Sequence, residues 1–208
     1  TLKRILEEKY DYVDNELFHQ SAEEAERQIF HEAPPIQQPD TSWYHPVMDN
    51  VTDEKAAKNV GTVLLSAKEE RALFLQFNYC RFRVAELREK LKDQDAIDPD
   101  QARTLLYWHR RAEAYRDQIA QTNLALVLAM AKRTRMSEVD FADLVSEGNM
   151  ALLRSVDKFD VARGFKFSTY ACRAILKAFS RAGVKFSKYR QMFPTDFDPK
   201  LEKSDYLE

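Results

Sequence analysis

From Ser66 onward the apolar residues recur at alternating steps of four and three. Leu73, Phe77, Cys80, Val84, Leu87 and Leu91 share one seam at that spacing, which predicts a long amphipathic helix. Ser66 and Glu69 supply a capping box at its start. The polar run KDQDAIDPD reads as a turn; Asp98 is an N-cap, Pro99 takes the first helical position and Gln101 completes a second box. Leu105, Trp108, Ala112, Tyr115, Ile119, Thr122 and Leu126 then repeat the seam. Two such seams joined by a short turn predict an antiparallel helical hairpin within the chain, with a coiled coil to another chain as the alternative. A third helix is expected from about residue 140 to 159, with Leu144, Val145, Leu152, Leu153 and Val156 facing the core. Gly148 inside it costs about 1 kcal/mol relative to Ala, which points to a close approach by another backbone. Residues 160–167 read as a turn around Gly164, and Ser168 is expected to cap a helix reaching about residue 182. Before the hairpin, residues 1–31 read as two short helices, the second opened by a box of Ser21 and Glu24. The segment HEAPPIQQPDTSWYHPVMDN carries Pro34, Pro35, Pro39 and Pro46 and reads as an extended linker anchored by Trp43 and Tyr44.

The pattern is all-α, and composition agrees: 208 residues contain only four glycines. The longest apolar runs are too short to span a bilayer and no hydrophobic signal segment opens the sequence, so no membrane role and a cytoplasmic location are expected. Cys80 and Cys172 sit among apolar neighbours and read as reduced and structural. His19, His31, His45 and His109 are scattered without metal-ligand spacing or a nucleophile partner, so neither an enzyme nor a metal or cofactor is expected.

Charge sharpens the picture. Residues 1–50 are strongly acidic, a front that either contacts or shields the basic end of the chain, or is simply solvated. Between residues 162 and 190 the ionisable side chains are Arg163, Lys166, Arg173, Lys177, Arg181, Lys185, Lys188 and Arg190, apart from Tyr170, Tyr189 and Cys172, with no Asp or Glu. Phe165, Phe167, Tyr170, Phe179, Phe186 and Tyr189 lie among them. Cations neutralise phosphates and aromatic faces stack on unpaired bases, so the block suits single-stranded or melted nucleic acid. Arg173, Lys177 and Arg181 recur every four residues, on one helix face, as phosphate contacts.

The runs NLALVLAMAKR, FADLVSEGNMALLRSVDKFD and RGFKFSTYA resemble region 2 of sigma-70-type factors, the promoter-recognition subunits of bacterial RNA polymerase. LLSAKEERAL resembles the family's region 1.2, so the likeness extends over about residues 62–190. The acidic front and long hairpin are most similar to planctomycete sigma factors. The resemblance implies a sigma region 2 helical bundle bearing the hairpin and a short helical, acidic N-terminal segment. It divides the chain into acidic helices and linker at 1–60, regions 1.2 and 2 at 61–190, and a tail at 191–208 leading to downstream regions of a longer factor. It also implies that Asp143, Ser146, Glu147, Asn149 and Leu153 bind the clamp coiled coil of the largest subunit of core RNA polymerase. Read alone, Asp143 and Glu147 are better explained as acids favouring a helix N-terminus than as a docking surface. For the promoter minus-ten element, whose non-template strand is captured single-stranded, the matching positions for a flipped adenine are Phe159, Asp160, Arg163 and Tyr170. Asn123, Leu126 and Ser168 match the pocket of a later thymine, and Lys166 is a further phosphate contact. An anti-sigma factor is a possible additional partner.

Two positions depart from the family. Vegetative sigma factors carry two tryptophans after the STYA run; Arg173 and Ala174 stand there instead. Lys177 occupies the place of a base-reading glutamine, which opens either altered base preference or plain phosphate binding. The expected function is therefore a sigma-factor fragment that recognises and melts the minus-ten element. The alternatives are a sigma-like adaptor or mimic that binds polymerase or an anti-sigma factor without reading a promoter, and a general single-strand binder.

Overall fold

The computed structural model describes residues 2–7, 10–42, 44, 64–92, 97–134 and 139–192, without the Arg190 side chain. Trp43, most of the hairpin turn and the 193–208 part of the tail lie outside the described residues. All regular structure among the described residues is helical: α1 Leu2–Glu7, α2 Ala22–Glu26, α3 Ala67–Leu91, α4 Pro99–Thr122, α5 Leu124–Thr134, α6 Phe141–Lys158 and α7 Phe167–Met192. None of the described helices is long and apolar enough to cross a membrane.

The hairpin forms within the chain, α3 packing along α4. Both capping boxes are present, Ser66 with Glu69 and Asp98 with Gln101. Leu73, Phe77, Cys80, Val84, Leu91, Leu105, Trp108, Ala112 and Ile119 are buried, as their seams require. The second seam does not continue unbroken to Leu126. Asn123 ends α4, donating its N–H to the Ala120 carbonyl and its Nδ2 to the Ile119 carbonyl at 2.8 Å, and α5 begins afresh. An Asn amide that satisfies the last-turn carbonyls competes with helix continuation, so periodicity alone ran two helices together.

α3 is buried all round from Leu73 to Cys80, not along one seam. One side meets α5, α6 and α7 through Leu73, Phe74 and Phe77. The other is covered by Ile5, Phe18, Ala25 and Ile29 of the N-terminal segment, against Leu75, Tyr79 and Cys80. Two polar side chains buried there are satisfied by that segment: Gln76 donates to the Ile29 carbonyl at 3.1 Å, and Asn78 Oδ1 accepts the Val13 N–H at 2.9 Å. The acidic front thus lies along the hairpin, with Glu26 paired to Arg83 at 3.2 Å. Burial pushes the Cys80 thiol up to about 12, consistent with an inert structural cysteine. Ser21 accepts the Glu24 N–H, but the Glu24 carboxylate turns to Arg27 and Gln28, so that expected box is only half formed.

Asp157 fixes α6 to the hairpin: Arg116 grips it through two bonds of 2.8 and 2.9 Å, and Arg81 adds a third at 3.3 Å. α7 packs along α6, and Gly148 of α6 faces Val127 of α5 and Phe179 of α7. The neighbours are side chains and not the expected backbone. A Cβ at Gly148 would stand 2.6 Å from Val127 Cγ1 and 3.1 Å from Phe179 Cε1. Overpacking costs about 1–3 kcal/mol against about 1 kcal/mol of helix propensity gained. Gly148→Ala is therefore expected to lower stability in urea unfolding; a stabilised variant would show that Val127 yields freely.

Candidate nucleic-acid interface

The site is built where α6 ends and α7 begins. Phe159 terminates α6 in an extended conformation, and Asp160 caps a short 3-10 turn, Val161–Arg163, by accepting the Ala162 N–H at 2.9 Å. Arg163 Nε donates back to Asp160 at 3.3 Å. Gly164 leaves the turn at φ 73°, a left-handed conformation that glycine adopts without strain. α7 then opens at Phe167, and Ser168 lies within its first turn, not at the cap. Its N-terminus is served from a distant helix: the Phe167 N–H donates to Glu70 Oε1 of α3 at 2.9 Å. A carboxylate at that end is favoured by the helix dipole. The helix also runs to Met192, ten residues beyond the expected end, passing through Gly183.

Phe74 of α3 lies beneath this junction, with ring centroids 4.8 Å from Phe159 and 5.0 Å from Phe167. Phe159 and Phe167 are 3% and 1% exposed, so Phe159, placed by the resemblance among base contacts, is first a floor of the core. Tyr170 stands 5.6 Å from Phe159 and is 40% exposed. Together Lys158, Phe159, Asp160, Arg163, Phe165, Thr169, Tyr170 and Arg173 line a pocket of about 410 Å³. That is within the roughly 300–1,000 Å³ of small-ligand sites. All four positions matched to the flipped adenine come together here. Next to it, Arg154, Lys158, Tyr170, Ala174, Lys177 and Arg181 line a shallower groove between α6 and α7.

Lys166, Arg173, Lys177 and Arg181 are exposed, and none has a carboxylate partner among the described residues. Such unneutralised cations beside an aromatic pocket suit a polyanion carrying bases. Arg154, Lys158 and Thr169 escaped the sequence reading, and Phe165 entered it only as one aromatic of the basic block. Arg154 and Lys158 are four apart on α6, and that spacing, facing the Lys177 and Arg181 row, was the available signal. Asn123, Leu126 and Ser168 do not line these pockets. All three are half-buried; Asn123 spends its Nδ2 on α4, and Leu126 packs against the main core.

The second expected surface lies along α6. Asp140 caps the helix, accepting the Ala142 N–H at 3.0 Å, and Asp143 lies in its first turn. Asp143 and Ser146 are exposed, Glu147 and Leu153 half-buried, and Met150 is exposed between them. Asn149 is engaged inside the molecule, its Nδ2 donating to the Tyr44 hydroxyl at 2.7 Å. Tyr44 thus anchors the linker, as expected.

Residues 119–182 match the family described as sigma-70 region 2. This matched segment is similar to sigma-70 region 2 and covers less than half of the chain. It contains the 3-10 turn, the pocket and most of α7, and region 2 here rests on a hairpin that lies largely outside the match. Over 71 residues the chain is 49% identical to the RNA polymerase sigma factor SigA of Lactococcus lactis subsp. cremoris, covering 34% of this chain and 20% of that protein. The RNA polymerase sigma factor SigA of Lactococcus lactis subsp. lactis (strain IL1403) is likewise 49% identical over 71 residues, 18% of its length. The match therefore spans about a fifth of these relatives.

The borrowed cap gives region 2 a dependence on α3. Glu70→Ala should cost about 1–2 kcal/mol and speed hydrogen exchange in the first turn of α7; unchanged exchange there would show that the turn holds without it.

Proposed function

We propose that the chain is the part of a sigma factor that acts in transcription initiation, docking on core RNA polymerase through α6 and capturing the unpaired non-template strand of the minus-ten element at the start of α7. The observation that carries this reading is the pocket around Tyr170. Its floor is the buried Phe159 ring, its wall the exposed phenol, and its rim the cations Lys158, Arg163 and Arg173. A flipped base gains stacking on Tyr170, which offsets the cost of unstacking it from the strand. Asp160 supplies acceptor oxygens at the pocket edge, and Arg163, 75% exposed in its side chain and paired with Asp160 at 3.3 Å, exchanges that partner for a base or a phosphate. Lys177 and Arg181, with Arg154 and Lys158 across the groove, hold the sugar-phosphate backbone. On α6, the acidic and aliphatic edge of Asp143, Glu147 and Leu153 suits an arginine-bearing helical partner.

One observation favours a second reading. Arg173 and Ala174 present a guanidinium and a methyl group where vegetative factors have two indoles, so no paired aromatic wedge stands at the upstream edge. A chain that docks without opening DNA, as a sigma-like adaptor, would tolerate that loss.

The deciding measurement is anisotropy of a labelled single-stranded minus-ten oligonucleotide, titrated with the chain and host core polymerase. Selective binding over a scrambled strand, lost in Glu147→Ala, supports the proposal; docking without selectivity supports the adaptor. Tyr170→Ala should weaken oligonucleotide binding about tenfold, from stacking worth about 1–3 kcal/mol per base, and leave polymerase docking unchanged. Equal loss of both would refute the division between α6 and α7. Lys177→Ala should lower the slope of log affinity against log salt by about 0.7–0.9 for a single phosphate contact. An unchanged slope with a new base preference would make Lys177 a reader of sequence.

A further inference from the structure

The docking face on α6 is not wholly free, and the group that covers it comes from 105 residues away in the sequence. Asp40 accepts the Ser42 N–H at 2.9 Å, and the Tyr44 N–H returns to the Thr41 carbonyl at 2.9 Å, a local turn that sets the ring. Ile36 and Tyr44 are half-buried against the main core. The Tyr44 hydroxyl accepts the Nδ2 proton of Asn149 at 2.7 Å, while Asn149 Oδ1 is buried without a hydrogen-bond partner among the described residues. One end of the amide is thus consumed by the linker and the other is sealed from water with its lone pairs unused.

We propose that Tyr44 is an internal occupant of the α6 docking face, and that a partner binding there displaces it. This rests on the docking role given to α6 above. An acceptor buried without a donor is a penalty that only the covered state carries. A partner that presents a guanidinium or amide donor to Asn149 Oδ1 relieves that penalty, so it gains something Tyr44 does not offer. Asp143, Ser146 and Met150 on the same helix stay exposed with Tyr44 in place. A partner can therefore engage the open part of the face first and take over Asn149 as the phenol leaves. The equilibrium between the covered and open states is shifted by the differential contacts a partner makes with the open face.

The test uses the full chain, fluorescently labelled, titrated with host core polymerase. Tyr44→Phe keeps the ring and removes the hydroxyl; Tyr44→Ala removes both. Docking affinity is expected to rise about threefold in the first and about tenfold in the second, from a lowered cost of opening, with urea midpoints confirming folded proteins. Glu147→Ala is the control that separates the two claims. Docking that depends on Glu147 but is unchanged or weakened by both Tyr44 variants overturns the covering role alone. Docking indifferent to Glu147, or absent, removes the α6 reading and this proposal with it.

Discussion

One joint organises the molecule: the first turns of α3 beneath the start of α7. Glu70 accepts the leading N–H of α7, and four residues later on α3 Phe74 lies between Phe159 and Phe167. Two contacts from one helix face thus fix where α6 stops, how the chain turns and where α7 begins. Everything placed at that junction, Tyr170 and the pocket included, inherits its position from them. Burial of rings this complete is worth about 1.5–3 kcal/mol each, while the carboxylate makes the stronger kind of hydrogen bond because it is charged. Apolar burial holds the junction and the ionic contact orients it.

The same helix divides the charge. Its outer face receives the acidic N-terminal segment, whose Glu26 meets Arg83 and whose backbone satisfies Gln76 and Asn78. Its inner face supports the basic helix; Lys166 just before that helix and Arg173, Lys177 and Arg181 on it meet no carboxylate among the described residues. Among the described residues, Glu26 is held on the hairpin and no acid neutralises this row of cations. A near-neutral chain thereby presents a local positive surface, which is what attraction of a phosphate backbone requires.

The pocket is also unlike a cavity lined by loops. Its floor is a core ring, its wall stands on a helix, and its rim is a three-residue turn closed by Asp160 and Gly164. The floor is buried, while the cationic edges are exposed. The α6 face differs: there a linker residue already occupies part of the surface.

Periodicity and capping determined much of this from sequence. The seam spacings, the Ser66 and Asp98 boxes and the start of α6 are local properties, set by side chains within a turn or two of each other, and the cations and aromatics of residues 162–190 marked a basic, aromatic block by composition alone. What the sequence could not show was which distant group completes each local need. Ser168 looked like a cap because a hydroxyl near a helix start usually is one; Glu70 took that role from 97 residues away. Gly148 announced a close contact, but only packing showed Val127 and Phe179 making it. Gln76 and Asn78 lie off the seam, and only the fold shows the N-terminal segment hydrogen-bonded to them. Asn123 hid a helix break inside a continuous seam, because a hydrogen bond to the preceding turn leaves no mark on hydrophobic spacing. Helix type and surface chemistry were determined by short-range physics, whereas caps, covered faces and the pocket depended on contacts between residues that chain order keeps far apart.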